Sequence, residues 1–518
     1  MTVSHERMSS VDTAWLRMDG PASAMMIVGV SATATPIRRA AFRRMIEQRM
    51  LCFTRFRFRP VADPIGASWV EDDDFDLDAH LEYAVLPAPA GRKELQHLAA
   101  VLASTPLDPR RPMWQIHLIE DYSGGSAWIM RVHHCYADGI AMIRVLLSMT
   151  EQDSGPAMSG QAGARHRSGR RGRADLLPLL NWVEQLTQPA GDILEHVLAE
   201  GAKLLEGGIH NLFHPGTVAA AAAQAGGVLS EFARVLVLPD DPETPLRGEL
   251  GGQKAVAWAD PIPLREVKTV GKALGCTVND VLMATVAGAL GSHLRDQDFD
   301  TEGLVLRASV PVNLRAAEEP LTLGNKFGLV FVDMAVGTRN PLQRLYAMHE
   351  TMTSLKGSLQ PPMTLMVLGI MGLLPGVLQA PAIEMFSRKG TAVVSNVPGP
   401  QAPLYVCGQR ISEMYFWVPQ SGTIGVGISI LTYAGQVYVG MISDRRILEN
   451  PGDVVDRFAR EFEQLLLAVT VGALAAREKP RPAGATPGRG KGRARAAAPK
   501  RRGAASSPGR PRRPAATT

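Results

Sequence analysis

Two adjacent histidines, with an aspartate four residues after the second, are the residues of this chain best suited to chemistry. They lie in the segment HHCYADG at residues 133–139. A neutral imidazole can accept a proton from a hydroxyl group, and its ordinary pKa of about 6.5 lies close to cellular pH. In a strand ending here, His134 shares a face with Trp128, Met130 and Val132, so it should point into the interior. The pattern favours His134 as a general base.

The same residues have other interpretations. Paired histidines at a strand end are also ordinary core or surface groups. A metal site is a further alternative, but a histidine and an aspartate four residues apart share a face only on a helix, and this stretch is predicted as strand and loop. Asp138 could cap the following helix or pair with an arginine from elsewhere. Cys135 is expected to pack, because only His134 could activate its thiol.

Hydrophobic patterns indicate the elements that would position this motif. Residues 114–120 and 127–134 are predicted as the strands of a hairpin, since a turn cluster separates them. Residues 140–150 have helical spacing and follow a good helix start signal. Further strands and helices alternate along the chain, which predicts an α/β protein: strands at 24–34, 304–312 and 437–443, and helices at 38–50, 176–238 and 278–294.

A chain of 518 residues is too long for one ordinary core, so we expect two subdomains. Residues 1–150 would form an N-terminal subdomain that carries the histidine motif. Residues 151–175 are mostly Gly, Ser, Ala and Arg, the composition of a flexible linker. Residues 176–476 would form the C-terminal subdomain. Residues 477–518 are predicted to be a disordered basic tail, because they have too few apolar residues to build a core.

Several segments carry a resemblance to a known family. The segment at 133–139 resembles the active-site motif of the CoA-dependent acyltransferase superfamily, which includes chloramphenicol acetyltransferase, carnitine acyltransferases and nonribosomal peptide condensation domains. Together with other segments, it makes the chain similar to the bacterial wax ester synthase/diacylglycerol acyltransferase family. Those segments follow the family's order over nearly all of residues 8–470: SVDTAW (10–15), PLDPRRPMW (106–114), TVNDV (277–281), PVNLR (311–315), GN (324–325) and SNVPGP (395–400). Met113 replaces the leucine that the family usually has.

The resemblance implies a fold and a reaction. The fold would be chloramphenicol acetyltransferase-like, with two subdomains of mixed sheets flanked by helices and a central tunnel. His134 would take the proton of an acceptor hydroxyl as it attacks the thioester of acyl-CoA, without a covalent enzyme intermediate. The acceptor would be a diacylglycerol, a long-chain fatty alcohol, or both. Acyl-CoA would be a substrate, so neither a cofactor nor a metal is expected.

The resemblance also suggests roles for other residues. His133, Asp138 and Gly139 would complete the catalytic motif, with Asp138 fixing the loop and Gly139 leaving the substrate channel open. Asn279 and Asn396 are candidates for stabilising the oxyanion or lining the tunnel. The segment that contains Asn396 could instead be only a strand and a turn. The candidate partners of Asp138 are two arginines, Arg315 and Arg307.

Charge and cysteine content bear on location and partners. Residues 477–518 hold 13 of the 55 Lys and Arg residues but only one of the 50 acidic residues. Such a polycation suits an anionic membrane or lipid-droplet surface, or nucleic acid, although it could also remain solvated without a partner. The four cysteines lack disulfide or zinc spacing, and the N-terminus lacks an apolar run. We therefore expect a cytoplasmic enzyme, peripherally bound to the inner face of the membrane or to lipid droplets.

An uncharged stretch from residue 357 to residue 383 is long enough to cross a membrane, but four prolines interrupt it. A pair of buried or lipid-contacting helices is the better interpretation. Residues 362–378 would then shape the acyl pocket or its lipid-facing mouth.

Two other functions remain compatible with the sequence. The first is an enzyme of the same superfamily that acts on another alcohol. The second is a non-catalytic protein that binds lipid or nucleic acid, although the intact His134, Asp138 and Gly139 speak against it.

Overall fold

Two mixed sheets, each with its own hydrophobic core, make up most of the computed structural model. The structure describes these residues: 5–63, 66–151, 238–315, 323–356, 358, 360–373 and 376–478. The predicted linker after residue 151, the helices predicted at 176–238 and nearly all of the basic tail lie outside them.

The chain up to residue 471 forms one compact unit, and residues 472–518 form a second, of which only the end of a helix is described. The described α-helices are α1 Ser10–Met18, α2 Arg39–Met45, α3 Arg92–Ser104, α4 Gly139–Met149, α5 Leu264–Leu274, α6 Val278–Asp296, α7 Pro341–Ser354, α8 Gln360–Leu373, α9 Gly376–Ser387 and α10 Gly452–Glu478. The described strands are β1 His5–Arg7, β2 Met26–Thr33, β3 Phe58–Asp63, β4 Gly66–Glu71, β5 Leu81–Ala84, β6 Trp114–Tyr122, β7 Gly125–His133, β8 Lys254–Trp258, β9 Ile262–Pro263, β10 Leu306–Asn313, β11 Phe327–Met334, β12 Ala392–Pro398, β13 Tyr405–Val406, β14 Gln409–Trp417, β15 Val426–Tyr433 and β16 Gln436–Asp444.

The first sheet has six strands in the order β13-β14-β2-β7-β6-β5. The predicted hairpin before the histidine motif is confirmed, since β6 and β7 pair antiparallel. All nine residues of β7 are buried, because the strand lies inside the sheet between β2 and β6. A fully buried strand ending at His133 delivers the next residue, His134, into the interior.

The second sheet has the order β11-β10-β12-β15-β16-β8, and β9 also pairs with β16. Its strands β10, β12 and β15 run parallel, while the others pair antiparallel. The core of this sheet includes side chains of α6, α7 and α10. Helix α6 begins with a capping box, in which Thr277 and Asp280 each accept a hydrogen bond from the other's backbone N–H. The mixed sheets and flanking helices confirm the predicted α/β class.

One strand from the C-terminal half of the sequence belongs to the first sheet. Strand β14 belongs to the region that the sequence assigned to the C-terminal subdomain, yet it pairs with β2 in the first sheet. Dividing the chain into subdomains at residues 150 and 176 does not predict that β14 joins the first sheet. Pairing between distant strands leaves no signal in local hydrophobic patterns. A third, three-stranded sheet has the order β1-β4-β3.

The uncharged stretch forms two helices, α8 and α9, as predicted. Within the described part of the chain, no single helix has both the length and the apolar character needed to cross a membrane. The bent pair α5 and α6 meets those criteria when taken together, but 15 of the 19 residues of α6 are buried, as in a core helix.

Candidate active site

His134 lies immediately after β7 and is 97% buried. Its backbone N–H donates to the carbonyl of Met25 at 2.7 Å. The imidazole stacks on the indole of Trp15, with ring centroids 4.2 Å apart and planes at 21°. The ring of Phe327 lies 5.6 Å away on centroids, at 47°. Two aromatic rings from separate elements, α1 and β11, therefore flank the candidate base.

This environment controls the charge of His134. Burial lowers the pKa of the imidazole to about 4, against a smaller opposing effect of the Asp138 carboxylate. Its Nδ1 atom is enclosed and has no hydrogen-bond partner among the described residues. The ring is therefore neutral at cellular pH, the state in which it can accept a proton.

Asp138 organises the loop that follows His134. One carboxylate oxygen accepts from the backbone N–H of Ala141 at 3.0 Å and so caps α4. The other accepts from the backbone N–H of Lys326 at 3.0 Å and forms a buried ion pair with Arg315. Both roles suggested by the sequence, cap and arginine partner, therefore occur at the same carboxylate.

Of the two arginines considered as partners, only Arg315 contacts Asp138. Its second guanidinium nitrogen donates to the carbonyl of Gly324 at 2.6 Å. Gly324 has a φ of +117°, a conformation that favours glycine. Arg307 lies elsewhere and contacts Asp241 and Asp333. The two arginines have different partners because Arg307 is near the start of β10, whereas Arg315 is just past its end.

His133 faces away from these groups. Its Nδ1 lies 3.2 Å from the backbone nitrogen of Cys135, and its Nε2 lies 3.6 Å from an Asp19 carboxylate oxygen. The Asp19 carboxylate also accepts from the backbone N–H of Met25 at 2.7 Å. His133 is therefore a buried residue that packs next to the segment before β2, outside the cavity. Cys135 is fully buried, and burial raises the pKa of its thiol well above the usual range, as expected of a packing residue.

A polar network missed by the sequence interpretation holds the backbone of His134. The side-chain amide of Asn325 donates to the His134 carbonyl at 2.7 Å and to Asp12 Oδ1 at 2.8 Å. The backbone N–H of Asn325 donates to the same Asp12 oxygen at 3.1 Å. Burial raises the pKa of Asp12, while these hydrogen bonds oppose the shift. Asp12, Trp15 and Asn325 all occur in the family-like segments at 10–15 and 324–325, which was the available signal.

The two candidate asparagines lie side by side. Asn396 Nδ2 donates to Asn279 Oδ1 at 2.8 Å. Asn279 is on the first turn of α6 and Asn396 is on β12. Because Asn279 uses its oxygen in this bond, its own amide N–H groups remain oriented donors. Next to them, Asp280 contacts His349 Nδ1 at 2.7 Å.

A single cavity brings the predicted residues together. Its lining includes His134, Asp138, Gly139, Asn279 and Asn396, whereas Arg307, Arg315 and His133 are not part of it. Asp138 is the one charged residue among the described residues that line the cavity. The rest of the wall is mainly aliphatic and aromatic, which suits a long hydrocarbon chain beside a proton-accepting group.

The apolar helices supply much of that wall. Helix α8 lines the cavity with Pro361, Thr364, Val367, Leu368 and Met371. Helix α9 contributes three further residues: Ile383, Phe386 and Ser387. The segment predicted to shape an acyl pocket thus borders the cavity that contains His134.

Gly139 is the first residue of α4 and lines the same cavity. A Cβ atom built there would lie 4.0 Å from a methyl group of Val397, which is an ordinary contact. The backbone therefore does not require glycine at this position. The missing side chain of Gly139 leaves space between α4 and β12, next to the candidate base.

Among the described residues, one group could bring three metal-ligand atoms together. Cys276, Asp280 and His349 have such atoms within 4.8 Å of one another. The motif histidines are not in this group. Since Asp280 already accepts from the Thr277 backbone and contacts His349, the cluster is adequately explained as a helix cap.

Comparisons with known proteins point to one family. Residues 8–282 match the model of the wax ester synthase/diacylglycerol acyltransferase catalytic domain. Residues 323–466 match the model of the WS/DGAT C-terminal domain. The two models together include most of the residues that line the cavity, but not the lining residues 309–313 of β10.

Individual proteins agree with these matches. The chain is 28% identical over 434 residues to the probable diacylglycerol O-acyltransferase tgs1 of Mycobacterium tuberculosis H37Rv, which covers 80% of this chain and 85% of the relative. The wax ester synthase/diacylglycerol acyltransferase of Marinobacter aquaeolei VT8 has a similar fold, with a TM-score of 0.61 and 21% identity over 90% of this chain and 100% of that one.

A condensation domain of the calcium-dependent antibiotic synthetase shares the fold more distantly. Its TM-score is 0.54 at 15% identity, over 90% of this chain and 97% of that one. This likeness confirms the chloramphenicol acetyltransferase-like architecture of paired mixed sheets expected from the sequence. With the catalytic-domain model matching more than half of its length, the chain belongs to the wax ester synthase/diacylglycerol acyltransferase family and is an acyltransferase.

Proposed function

We propose that this enzyme transfers a long acyl group from acyl-CoA to the hydroxyl of a diacylglycerol or a long-chain fatty alcohol, with His134 as the general base. The observation that carries the proposal is a buried, neutral imidazole in the wall of a largely apolar cavity. A hydrocarbon chain can occupy such a cavity, and the imidazole is the group in its wall best suited to accept a proton.

The reaction begins with the acceptor hydroxyl next to His134. Nε2 is the nitrogen assigned to proton transfer, because Nδ1 is enclosed. As the imidazole takes the proton, the hydroxyl oxygen bonds to the thioester carbon and negative charge develops on the carbonyl oxygen. The carbon–sulfur bond then breaks, and the protonated imidazole returns its proton to the CoA thiolate. The products are an oxygen ester and free CoA, and no cofactor takes part.

The negative charge on the thioester oxygen needs oriented donors. The amide of Asn279 fits this role, since its oxygen is held by Asn396 and its N–H groups are not used in that bond. Asn396 then acts by orienting Asn279. Asp138 has a structural role, because its carboxylate is engaged by the α4 cap, the Lys326 backbone and Arg315.

The family relationship supports diacylglycerol and fatty alcohols as acceptors. One relative is named a diacylglycerol O-acyltransferase, and one structural match is a wax ester synthase/diacylglycerol acyltransferase. Another alcohol would use the same chemistry, since His134 needs only a hydroxyl group. A product screen with fatty alcohols, diacylglycerols, sterols and other hydroxyl compounds distinguishes these acceptors.

The test is acceptor-dependent release of CoA thiol from palmitoyl-CoA, with hexadecanol or a diacylglycerol as acceptor. Replacing His134 with Ala should lower the rate by about a hundredfold or more, because the general base is lost. His97, an exposed histidine of α3, provides the control His97→Ala, which should retain full activity. A folded wild type that releases no thiol with any acceptor would favour a non-catalytic binding protein.

We further propose that the enzyme works in the cytoplasm at the surface of the inner membrane or of lipid droplets. Its proposed acceptors reside there, and the 13 cationic residues of the tail would attract anionic lipid, each contributing about 1 kcal/mol. Deleting residues 479–518, which hold 12 of these 13 residues, should abolish sedimentation with anionic vesicles while leaving turnover on detergent-dispersed substrates unchanged. Unchanged sedimentation, or salt-sensitive binding to nucleic acid instead, would contradict this role.

A further inference from the structure

We propose that Trp15 and Asn325 are positioning residues for His134: the indole fixes the plane of the imidazole, and the amide fixes the backbone that carries it. This inference deepens the proposed function and rests on it. It extends the active site to α1 and to the segment before β11, neither of which belongs to the histidine motif.

The need for such residues follows from where His134 lies. It is the first residue after β7, and its backbone N–H still donates to the Met25 carbonyl, but the strand pairing that orients side chains ends at His133. An imidazole at this position without packed neighbours would have several rotamers, and proton transfer needs one of them. In the structure, the Trp15 ring lies 4.2 Å away and nearly parallel, and Phe327 lies 5.6 Å away. Stacking against a fixed indole selects one plane for the imidazole.

Helix α1 also holds the backbone of His134, through hydrogen bonds that Asn325 makes to Asp12 and to the His134 carbonyl. Asn325 Nδ2 donates at 2.7 Å to the His134 carbonyl and at 2.8 Å to Asp12 Oδ1. Asp12 and Trp15 are three residues apart on α1, and therefore on one face of that helix. The helix is itself capped by Ser9, whose hydroxyl accepts from the Asp12 backbone N–H at 3.0 Å. One face of α1 thus holds both the ring and the carbonyl of the candidate base.

The packing of the Trp15 indole against the imidazole also affects the pKa of His134. The titratable or charged groups around it are Asp138 at the start of α4, His133 on β7, and Asp12 on α1, and the Asp138 charge is paired with Arg315. The indole of Trp15 covers one face of the imidazole. Removing this indole admits water and raises the pKa of His134 toward 6.5. At a given pH less neutral base is then present, so the acid limb of the rate profile moves to higher pH.

The experiment compares Trp15→Phe and Trp15→Leu with Trp128→Leu in the full-length enzyme. Trp128 is a matched control, because it is 96% buried in β7 but does not line the cavity. For Trp15→Leu we expect kcat to fall about ten- to a hundredfold, with KM for acyl-CoA within about threefold of wild type. The acid limb should move up by at least one pH unit. Trp15→Phe should be intermediate, and Trp128→Leu should match wild type per folded molecule.

A double variant tests whether both residues act through His134. Asn325→Ala alone should lower kcat about tenfold, since the His134 carbonyl loses its donor. If both residues hold the same group, Trp15→Leu combined with Asn325→Ala should cost less than the product of the two single effects. Strictly multiplicative effects would overturn a shared action on His134.

A readout independent of turnover separates this inference from the proposed function. Diethyl pyrocarbonate modifies neutral, accessible imidazoles, and peptide mass spectrometry locates the product. Labelling of His134 should be faster in Trp15→Leu than in wild type and unchanged in Trp128→Leu. If wild type shows no acyl transfer but labelling responds in this way, the proposed function fails and the positioning role stands. If labelling and kinetics of Trp15→Leu match those of Trp128→Leu, the positioning role is overturned.

Discussion

At the scale of single residues, the lowered pKa of His134 predicts how activity depends on pH. The folded-state pKa of about 4 means that the neutral base is fully present above pH 5 and is lost as the pH falls through 4. We expect kcat/KM for acyl transfer to be flat from about pH 5.5 to 7.5 and half-maximal near pH 4. Tryptophan fluorescence at each pH checks that the enzyme is folded. A half-maximal rate near pH 6.5 would show an ordinary, hydrated imidazole instead.

The ion pair between Asp138 and Arg315 predicts a loss of stability. Their side chains are 5% and 4% exposed. Replacing Arg315 with Met leaves the Asp138 carboxylate buried without a cation, which should cost about 3–5 kcal/mol of unfolding free energy. Urea denaturation measures this cost. Arg39→Met breaks an exposed ion pair with Glu120 and should leave the unfolding free energy nearly unchanged, because solvent screens that pair.

The residue types of this site could be predicted, but some of their contacts could not. The motif at 133–139 predicted the buried position of His134 and the Asp138 cap, because both depend on neighbours in the chain. It left two arginines as partners of Asp138, since the choice depends on which end of β10 reaches the α4 cap. Trp15 lies in the family-like segment at 10–15, but nothing in that segment indicates its stacking on His134, because this contact depends on how α1 packs.

At the scale of elements, α8 serves both as a wall of the cavity and as cover for an edge strand. Strand β11 is the last strand of its sheet. Gln360 accepts a hydrogen bond from the Phe331 backbone N–H at 3.0 Å, and the Thr364 hydroxyl bonds to both backbone groups of Leu329. Side chains of a helix thus replace the next strand, which protects the edge from pairing with another chain.

The wall formed by α8 predicts a change in acyl preference. Leu368 lines the cavity, whereas Leu365, one turn earlier, is buried but is not among the lining residues. Replacing Leu368 with Trp adds bulk to the pocket and should shift preference from palmitoyl-CoA to shorter acyl chains by about tenfold or more. Competition between acyl-CoAs of different length measures the shift. Leu365→Met, with nearly conserved volume, should leave the preference unchanged.

The elements themselves followed well from the sequence, whereas their pairing did not. The helix α4, the β6–β7 hairpin and the helical pair α8–α9 all appear close to their predicted bounds, because each has a local periodic or turn signal. Strand β14 joining β2 had no such signal. Its partner lies hundreds of residues earlier, and hydrophobic alternation alone does not select between distant partners.

At the scale of the whole molecule, buried neutral histidines predict sensitivity to acid. Burial lowers the pKa of His117, like that of His134, to about 4. Between pH 6.5 and 4 the unfolded chain binds more protons than the folded one, so stability falls as the pH falls. From pH 7 to pH 5, each of the two should cost about 2 kcal/mol of unfolding free energy.

A single substitution tests this dependence without touching the site. His117→Gln removes one titrating group, so the loss of stability between pH 7 and pH 5 should shrink by about 2 kcal/mol. Urea titrations at the two pH values measure it. An unchanged difference would mean that His117 is already hydrated in the folded enzyme.

The exchange of β14 into the first sheet has a consequence for synthesis on the ribosome. Ser412 lies within β14, and its hydroxyl donates a hydrogen bond to the carbonyl of Ala32 in β2, 380 residues earlier in the chain. At about 5–20 residues per second, the strand that covers β2 emerges roughly 20–75 s after β2 itself. During that interval the edge of β2 that later pairs with β14 has no strand beside it. We therefore expect chaperones to bind the nascent chain. Residues 1–150 produced alone should accumulate as aggregates unless residues 405–417 are supplied with them.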